Sequence, residues 1–296
     1  MHLLESVTTV KRHIGHPDSP AADNKSEPNK REHVLNPSDE ISIVVPAYNE
    51  STRLGRTLDQ ILDFVRECEW AAEIIVVDDG SRDGTAELVR EYARHNAIVR
   101  LVQNPGNRGK GYSVRNGVLH ARGAIILFSD ADLSSPIEEA TKLIEALEAG
   151  ADVAIGSRWV QSELQTHRQS VARQMMGRAF NVLLRLLLSL DFKDTQCGFK
   201  AFRRGAAHAL FSSQTIEGWG FDPEILFLAR RMGLKVAEVP VVWAHDEGTR
   251  IHPIVDGSKM AIEIMRIRWN SILGKYGDAA TGPSTRMLAE GQRRRT

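Results

Sequence analysis

The stretch Ile125-Ile126-Leu127-Phe128-Ser129-Asp130-Ala131-Asp132 decides the fold and gives the first candidate site. Its apolar run is typical of a strand that is buried on both faces of a parallel sheet. Asp130 and Asp132 follow at a spacing of two, so in extended backbone both carboxylates point the same way and can approach one ion. Open α/β sheets bind ligands outside the carboxyl ends of their strands. For an isolated pair of aspartates a polar turn would be the better interpretation. The surrounding sequence therefore has to decide between a polar turn and an ion-binding site.

The bulk composition limits the class of protein. The chain has 296 residues, 42% hydrophobic and 26% charged, which is ordinary for a globular protein. Lys+Arg and Asp+Glu each number 38, and the zero formal net charge gives nucleic-acid binding no support. Cys68 and Cys197 lack a C-x-x-C spacing, which favours a reducing, cytosolic setting over a disulfide framework or a zinc site. We find neither an apolar run of about 20 residues nor a signal-peptide core, so we expect a soluble chain that can lie against a membrane.

Strand and helix patterns alternate between two polar segments. Residues 1–40 are rich in Pro, Asn, His and charge, which predicts a disordered tail, and residues 277–296 predict a basic tail. Between them, apolar runs predict strands at residues 41–45, 74–77, 98–102, 125–128 and 153–155. Helical periodicity follows each of the first four strands, with Ser51 and Asp83 as candidate caps. This alternation predicts an α/β fold with a mostly parallel, Rossmann-type sheet and helices on both faces.

Two later segments are more apolar than ordinary surface helices. Residues 173–190 combine leucines and methionines with three arginines, and residues 260–276 mix apolar residues, including Trp269, with basic ones. Both patterns are typical of an amphipathic helix in a membrane interface. They are equally typical of a core helix whose arginines extend to solvent, and the pattern leaves both interpretations open.

The loop after the first predicted strand is Pro46-Ala47-Tyr48-Asn49-Glu50. It lacks the glycines of a dinucleotide-binding turn or a P-loop. Tyr48 can stack on a base, and Glu50 can accept a hydrogen bond from a base or a ribose. A turn stiffened by Pro46, with Glu50 in the first helical turn, would explain the same residues.

Two further loops carry charges to the same edge of the sheet. Asp78 and Asp79 end the second predicted strand, where an acidic residue is well placed to hydrogen-bond a nucleotide, although turn chemistry is an equal alternative. The segment Asn107-Arg108-Gly109-Lys110-Gly111 allows close backbone approach and places Lys110 where it can pair with phosphates. A glycine-rich surface turn would have the same composition.

In their order along the chain, these motifs resemble the signature of the inverting, GT-A-type family 2 glycosyltransferases. The matching residues are 46–50, 78–81 with 83–85, 109–111, 130–134 and 156–158. Within that family they are most similar to the dolichyl-phosphate glucosyltransferases, with the dolichol-phosphate mannose synthases as near relatives, and residues 194–200 and 218–224 favour the glucosyl branch. The resemblance covers roughly residues 41–243 and implies a GT-A fold.

The resemblance implies that these loops bind a nucleotide-sugar donor. The donor-binding residues would be Pro46, Ala47, Tyr48, Glu50, Asp78, Asp79, Lys110, Asp130, Ala131 and Asp132. Asp130 and Asp132, with Ser134 nearby, would hold Mg²⁺ or Mn²⁺, since hard cations prefer carboxylate and phosphate oxygens. Stabilisation of the leaving nucleoside diphosphate would then be the main catalytic contribution.

The resemblance also implies a polyprenyl phosphate acceptor, which is already anionic at pH 7 and needs positioning rather than a general base. The acceptor-binding residues would be Arg158, Arg168, Arg173, Asp194, Lys200 and Trp219. Arg158 and Asp222 would complete the catalytic set with the two metal-binding aspartates. Asp194 and Asp222 would orient the sugar or, with a hydroxyl acceptor, serve as the base.

We therefore expect a metal-dependent, inverting glycosyltransferase that moves glucose from UDP-glucose onto dolichyl or undecaprenyl phosphate, bound peripherally to the cytoplasmic membrane face. Residues 41–158 would form the nucleotide-sugar half of one domain and residues 159–276 its acceptor-facing and membrane-facing half. A GDP-mannose donor and a soluble hydroxyl acceptor are the alternatives. A nucleotidyltransferase would release pyrophosphate instead, and a non-catalytic sugar-nucleotide sensor would not need the metal pair.

Overall fold

The computed structural model describes residues 40–159, 182, 184–243 and 253–277. In chain order its elements are β1 (Ile41–Ala47), α1 (Leu54–Glu67), β2 (Ala72–Asp78), α2 (Thr85–His95), β3 (Val99–Gln103), α3 (Lys110–His120), β4 (Ile125–Ser129), a 3₁₀ turn (Ile137–Glu139), α4 (Ala140–Glu148), β5 (Val153–Ser157), β6 (Phe199–Arg203), α5 (Arg204–Ser213), α6 (Phe221–Arg231), β7 (Val236–Pro240) and α7 (Pro253–Ile272). All but one residue of each predicted tail lies outside the described part, so both tails stay predictions.

One mixed seven-stranded sheet runs in the order β3-β2-β1-β4-β6-β5-β7. β1 pairs in parallel with β2 and β4, β2 with β3, and β5 with β7, whereas β6 is antiparallel to both β4 and β5. The predicted α/β fold with a mostly parallel sheet and helices on both faces is confirmed. Since β6 belongs to the second predicted half of the domain and lies between two strands of the first, both halves build the same sheet.

The helices pack on this sheet through apolar faces, and α3 comes unusually close to it. A Cβ atom at Gly117 would lie 2.4 Å from Val44 Cγ1 and 2.8 Å from Val77 Cγ2, so only glycine permits this approach. Close packing of this kind fixes α3, and therefore Lys110 at its amino terminus, relative to the ends of β1 and β2. The fold thus positions a loop that the sequence predicted as part of the site.

The predicted caps of α1 and α2 turn out differently. Ser51 does not cap α1, which begins at Leu54; its backbone N–H and hydroxyl both donate to Asp83 Oδ2, at 3.0 and 2.9 Å. The other oxygen, Asp83 Oδ1, accepts the Thr85 backbone N–H at 3.1 Å, at the start of α2. The Ser51 prediction was wrong because α1 begins two residues beyond the start that the prediction required, with Arg53 preceding it, and the Ser51 hydroxyl is turned towards Asp83, 32 residues later.

The two predicted amphipathic segments are described only in part. Of residues 173–190, Leu184 and Leu188 pack into the core, whereas Leu186 is 77% exposed. In α7, Ile264 and Ile267 are fully buried and an opposite apolar face is exposed. One face of α7 therefore packs in the core, as the second interpretation expects, whereas a membrane-interface role for its exposed face stays a prediction. Within the described residues, none of the helices combines the length and apolar character that crossing a membrane requires.

Candidate active site

A cleft of about 410 Å³ lies at the carboxyl ends of β1, β2 and β4. Small-molecule sites commonly measure about 300–1,000 Å³, so the cleft is of a suitable size. Its lining residues come from five loops and comprise Pro46, Ala47, Tyr48, Glu50, Arg53, Asp79, Asn107, Gly109, Lys110, Ser113, Asp130, Ala131, Asp132 and Trp219. Most of the residues predicted to bind the donor therefore surround one cleft.

Lys110 and the acidic pair form the charged centre of the cleft. The ammonium Nζ of Lys110 lies 2.6 Å from Asp130 Oδ1. Burial would lower the pKa of Lys110, but the Asp130 carboxylate and the more distant Asp222 outweigh it, so this pKa is raised above its usual value. Burial raises the pKa of Asp130, and the negative charge of Asp132 raises it further. The positive charge of Lys110 lowers this pKa but does not outweigh the other two effects. Two carboxylates that repel each other here would both be stabilised by further positive charge.

The donor set of the pair fits a hard divalent cation that arrives with a phosphate ligand. Asp132 Oδ1 accepts the backbone N–H of Ser134 at 3.0 Å, which orients this carboxylate. The described residues contain no cluster of three or more His, Cys, Asp or Glu side chains suited to a metal. Mg²⁺ is commonly held by one or two carboxylates plus substrate phosphates and water, which matches two aspartates and no complete cage. Ligation by the Ser134 side chain stays a prediction.

Gly198, which precedes β6, fixes the position of the Asp130 carboxylate. A Cβ atom at residue 198 would lie 1.9 Å from Asp130 Oδ2 and 2.4 Å from its Cγ. The Asp130 backbone N–H also donates to the Gly198 carbonyl, at 3.1 Å. No local sequence signal pointed to this contact, because it depends on the insertion of β6 beside β4.

Asp79 holds the lysine loop, residues 107–111, through hydrogen bonds from the backbone of that loop. Its Oδ1 accepts the Arg108 backbone N–H at 2.9 Å and Asn104 Nδ2 at 2.7 Å, and its Oδ2 accepts the Gly109 backbone N–H at 2.8 Å. Asp79 lines the cleft but is only 4% exposed. Its direct role in donor binding stays a prediction; its observed role is to hold the backbone that carries Lys110.

The glycines on either side of Lys110 allow close packing against another segment of the protein. A Cβ atom at Gly109 would lie 2.6 Å from the carbonyl oxygen of Glu217, and one at Gly111 would lie 2.9 Å from the carbonyl oxygens of Ile216 and Gly218. The predicted close backbone approach therefore exists, and in the structure it is made to residues 216–218. The conformational freedom of Gly109 is also used, since its φ is +104°.

Asp78 and Glu50 have protein partners that the sequence did not reveal. Asp78 is outside the cleft lining, and its carboxylate accepts the Ser81 backbone N–H at 3.1 Å, as the alternative of turn chemistry predicts. Glu50 lines the cleft, but its two oxygens accept from Arg53, with Nη2 at 2.8 Å from Oε1. The sequence analysis missed Arg53, although its i+3 spacing from Glu50 on a helical turn was available as a signal.

Arg158 and Asp194 form a bidentate ion pair. Arg158 Nε lies 2.6 Å from Asp194 Oδ2, Nη2 lies 2.9 Å from Oδ1, and the Arg158 backbone N–H also donates to Oδ2. Burial would raise the pKa of Asp194, but the guanidinium holds it below the usual value. Asp194 is 2% exposed and its observed role is to hold Arg158, so its contact with the sugar or the acceptor stays a prediction.

Lys200 and Asp222 form a second ion pair, beneath the cleft. Lys200 Nζ lies 2.5 Å from Asp222 Oδ1, and the residues are 1% and 3% exposed. The Lys200 ammonium is thus paired inside the protein, and its acceptor-binding role stays a prediction. Asp222 is likewise buried and paired, and its role in orienting the sugar or as a base stays a prediction.

Trp219 is the acceptor candidate that the structure brings to the cleft. Its indole lines the cleft and lies 5.0 Å from Lys110 Nζ, measured to the ring centroid. Arg158 lies apart from the lining residues, with its guanidinium carbon 5.5 Å from the Trp243 ring centroid. Arg168 and Arg173 lie outside the described residues, so their roles stay predictions.

The chain is similar to curated proteins over most of its length. Dolichyl-phosphate beta-glucosyltransferase of Dictyostelium discoideum is 38% identical over 254 residues, which cover 81% of this chain and 77% of that protein. The Saccharomyces cerevisiae protein of the same name is 36% identical over 85% of this chain and 80% of its own length. The Homo sapiens protein is 33% identical over 81% and 78%.

Solved structures share the fold at lower identity. Glucosyl-3-phosphoglycerate synthase from Mycobacterium tuberculosis, in complex with Mn²⁺, UDP-glucose and phosphoglyceric acid, has a TM-score of 0.56 and 20% identity, covering 81% of this chain and 80% of its own. Mannosyl-3-phosphoglycerate synthase from Rubrobacter xylanophilus has a TM-score of 0.60 and 19% identity, covering 80% and 75%. Likeness at this identity shows the fold alone, and the GT-A prediction is confirmed.

A family model described as glycosyl transferase family 2 matches residues 42–211, more than half of the chain. The matched region includes β1 to β6 and all the loops that line the cleft except the one that carries Trp219. Together with relatives more than 30% identical over most of both chains, this match shows that the chain belongs to glycosyltransferase family 2 and is a glycosyltransferase.

Proposed function

We propose that the chain transfers glucose from UDP-glucose to a polyprenyl phosphate such as dolichyl phosphate, with inversion at the anomeric carbon. The curated relatives are named for dolichyl-phosphate glucosylation, and one structural neighbour binds UDP-glucose with Mn²⁺. One observation carries the proposal: Lys110, Asp130 and Asp132 face the cleft, whereas the two carboxylates predicted as alternative bases are buried in ion pairs.

The donor is proposed to lie with its diphosphate at Lys110 and the acidic pair. Lys110 keeps its positive charge at neutral pH, because its pKa is raised, and can exchange Asp130 for a phosphate oxygen. A divalent cation held by Asp130 and Asp132 would supply further positive charge to the departing diphosphate. Tyr48, exposed at 40%, offers a ring for stacking on the base.

The acceptor is proposed to bring its own anionic nucleophile. A phosphate monoester is ionised at pH 7 and needs orientation, whereas a hydroxyl group needs a nearby base. Asp194 is held by Arg158, and Asp222 is held by Lys200. Freeing Asp194 would give up its bidentate ion pair, and freeing Asp222 would leave the buried Lys200 ammonium without a carboxylate. These two pairs support an acceptor that requires no proton transfer to the protein.

The outer face of α7 supports peripheral attachment to the cytoplasmic face of a membrane. Its exposed apolar residues are Ile262, Met265, Trp269 and Ile272, and the exposed Leu273 follows directly after the helix. Exposed basic side chains border them at Lys259, Arg266, Arg268 and Lys275. An apolar face bordered by basic residues binds in the interface plane of anionic membranes. We propose that this face, with residues 173–190, brings the acceptor-facing half of the domain to the lipid.

Glycolipid synthesis by the purified chain tests the proposal. The chain is incubated with UDP-glucose, Mn²⁺ and dolichyl phosphate in phosphatidylglycerol-containing vesicles, and chromatography of the lipid phase should reveal a glucosylated lipid. Asp132→Asn is the inactive control. The proposal fails if soluble hydroxyl acceptors are glucosylated while the lipid is not. Faster transfer from GDP-mannose than from UDP-glucose would overturn the donor assignment.

A further inference from the structure

Glu263, on α7, fills the space beside two glycines that flank Trp219. Its Oε2 accepts the Gly220 backbone N–H at 2.7 Å. A Cβ atom at Gly218 would lie 2.1 Å from Glu263 Oε1, and one at Gly220 would lie 2.8 Å from Glu263 Cβ. The backbone on both sides of Trp219 therefore packs closely against the Glu263 side chain, at distances that only glycine permits at positions 218 and 220.

The same backbone segment meets the lysine loop on its other side. The Gly218 carbonyl oxygen would lie 2.9 Å from a Cβ atom at Gly111, and the Tyr112 backbone N–H donates to the Glu217 carbonyl at 3.1 Å. Trp219 itself lies 5.0 Å from Lys110 Nζ. An unbroken series of contacts thus runs from α7 through residues 217–220 to the cation of the cleft.

Among the described residues, the Gly220 backbone N–H is the hydrogen-bond partner of the Glu263 carboxylate. Burial raises its pKa, the Gly220 N–H lowers it, and the charged groups facing it are Arg266, Lys259 and Glu224. Among the described residues it makes no ion pair within 4.0 Å, so its close partner is the backbone beside Trp219. A half-buried carboxylate that accepts a hydrogen bond from a backbone N–H helps to hold that backbone in place.

We infer that Glu263 is a positioning residue that sets Trp219 and Lys110 against the donor diphosphate and links α7 to the cleft. The role in donor binding rests on the proposed function, whereas the placement of Trp219 does not. Glutamine at position 263 keeps an oxygen that can accept the Gly220 N–H, while alanine removes the acceptor and leaves a void. The two substitutions should therefore behave differently.

Fluorescence without any donor tests the placement of Trp219. The difference in acrylamide quenching between the protein and its Trp219→Phe form isolates this indole. We expect Glu263→Ala to increase the quenching of Trp219, Glu263→Gln to leave it near the parental value, and Glu145→Ala on the exposed face of α4 to have no effect. Equal quenching of Trp219 in the parent and in Glu263→Ala would overturn the inference.

Calorimetry with UDP and Mn²⁺ tests the effect on the cleft. Loss of one hydrogen bond to a charged group predicts about tenfold weaker UDP binding in Glu263→Ala, with rescue in Glu263→Gln. Gly218→Ala, whose methyl group collides with Glu263, should also weaken binding, and adding Glu263→Ala to it should cost less than the sum. Additive losses would contradict the contact. If the parent itself binds no nucleotide, the proposed function fails, and the quenching result still decides the role of Glu263.

Discussion

Replacing Gly198 with alanine should displace the Asp130 carboxylate while leaving the fold in place. Gly198 does not adopt a left-handed backbone conformation, so alanine introduces no backbone strain there. The new methyl carbon would start 1.9 Å from Asp130 Oδ2, whereas ordinary contacts begin at 3.4 Å. The backbones cannot separate easily, because the Asp130 N–H donates to the Gly198 carbonyl and Ser129 pairs with Phe199 in the sheet.

The carboxylate must therefore turn away by about 1.5 Å, the difference between those two distances. This movement breaks the 2.6 Å contact with Lys110 and separates Asp130 from Asp132 as a joint ligand. Misplacement of a reacting or binding group by about 1 Å can cost about 100-fold in rate. That factor corresponds to about 2.7 kcal/mol of lost transition-state stabilisation.

Initial rates of UDP release and calorimetry of UDP with Mn²⁺ measure this loss. Gly205→Ala, near the start of α5, is the matched control, since nothing lies within 4 Å of its added Cβ. Both variants should unfold within a few degrees of the parent. If Gly198→Ala is folded, binds UDP with Mn²⁺ and turns over within threefold of the parent, the position of Asp130 does not limit the reaction and the reasoning is refuted.

Lys110→Met should move the acidic limb of the pH–rate profile to higher pH, because the cation that opposes the raised pKa of Asp130 is lost; Lys142→Met, on α4, should not move it. Asp194→Asn removes the bidentate ion pair with Arg158 and should lower the free energy of unfolding by no more than about 3 kcal/mol, the lower end for a buried pair, because Arg158 keeps some exposure. Because Arg158 depresses the pKa of Asp194, the parent loses this contribution as the pH falls below about 5, so urea titrations should show a weaker acid dependence in the variant; equal dependence would contradict the ion pair. EDTA should abolish UDP release by the parent and Mn²⁺ should restore it, whereas full activity in EDTA would exclude a required cation.

Most of the sheet could be predicted from sequence because β1, β2, β4 and β5 are short apolar runs that are buried throughout. β6 could not be predicted in this way. Its sequence, Phe-Lys-Ala-Phe-Arg, contains a lysine that is buried only because Asp222, 22 residues later in the chain, pairs with it. Periodicity describes the solvent exposure of neighbours in sequence and carries no information on such distant partners.

In the candidate site, too, features set by local sequence could be predicted, and pairings between residues distant in sequence could not. Tyr48, Lys110, Asp130 and Asp132 could be predicted, because each follows or precedes an element end at the ligand edge of the sheet. Which charges would be neutralised inside the protein could not, since Arg158 and Asp194 lie 36 residues apart. A list of charged residues in the right loops therefore does not reveal which of them are paired with one another inside the protein.

The insertion of β6 has a consequence for the order in which the chain becomes functional during synthesis. β4 and β5 are made first, yet each pairs with β6 and not with the other, and the remaining neighbour of β5 is β7. On a translating ribosome, β5 has no strand to pair with until β6 has been released, and Asp130 lacks the backbone of residue 198 that confines it. Nascent chains ending before β6 should therefore expose open strand edges to chaperones, and we expect the capacity to bind a nucleotide to arise late and abruptly as the last strands join.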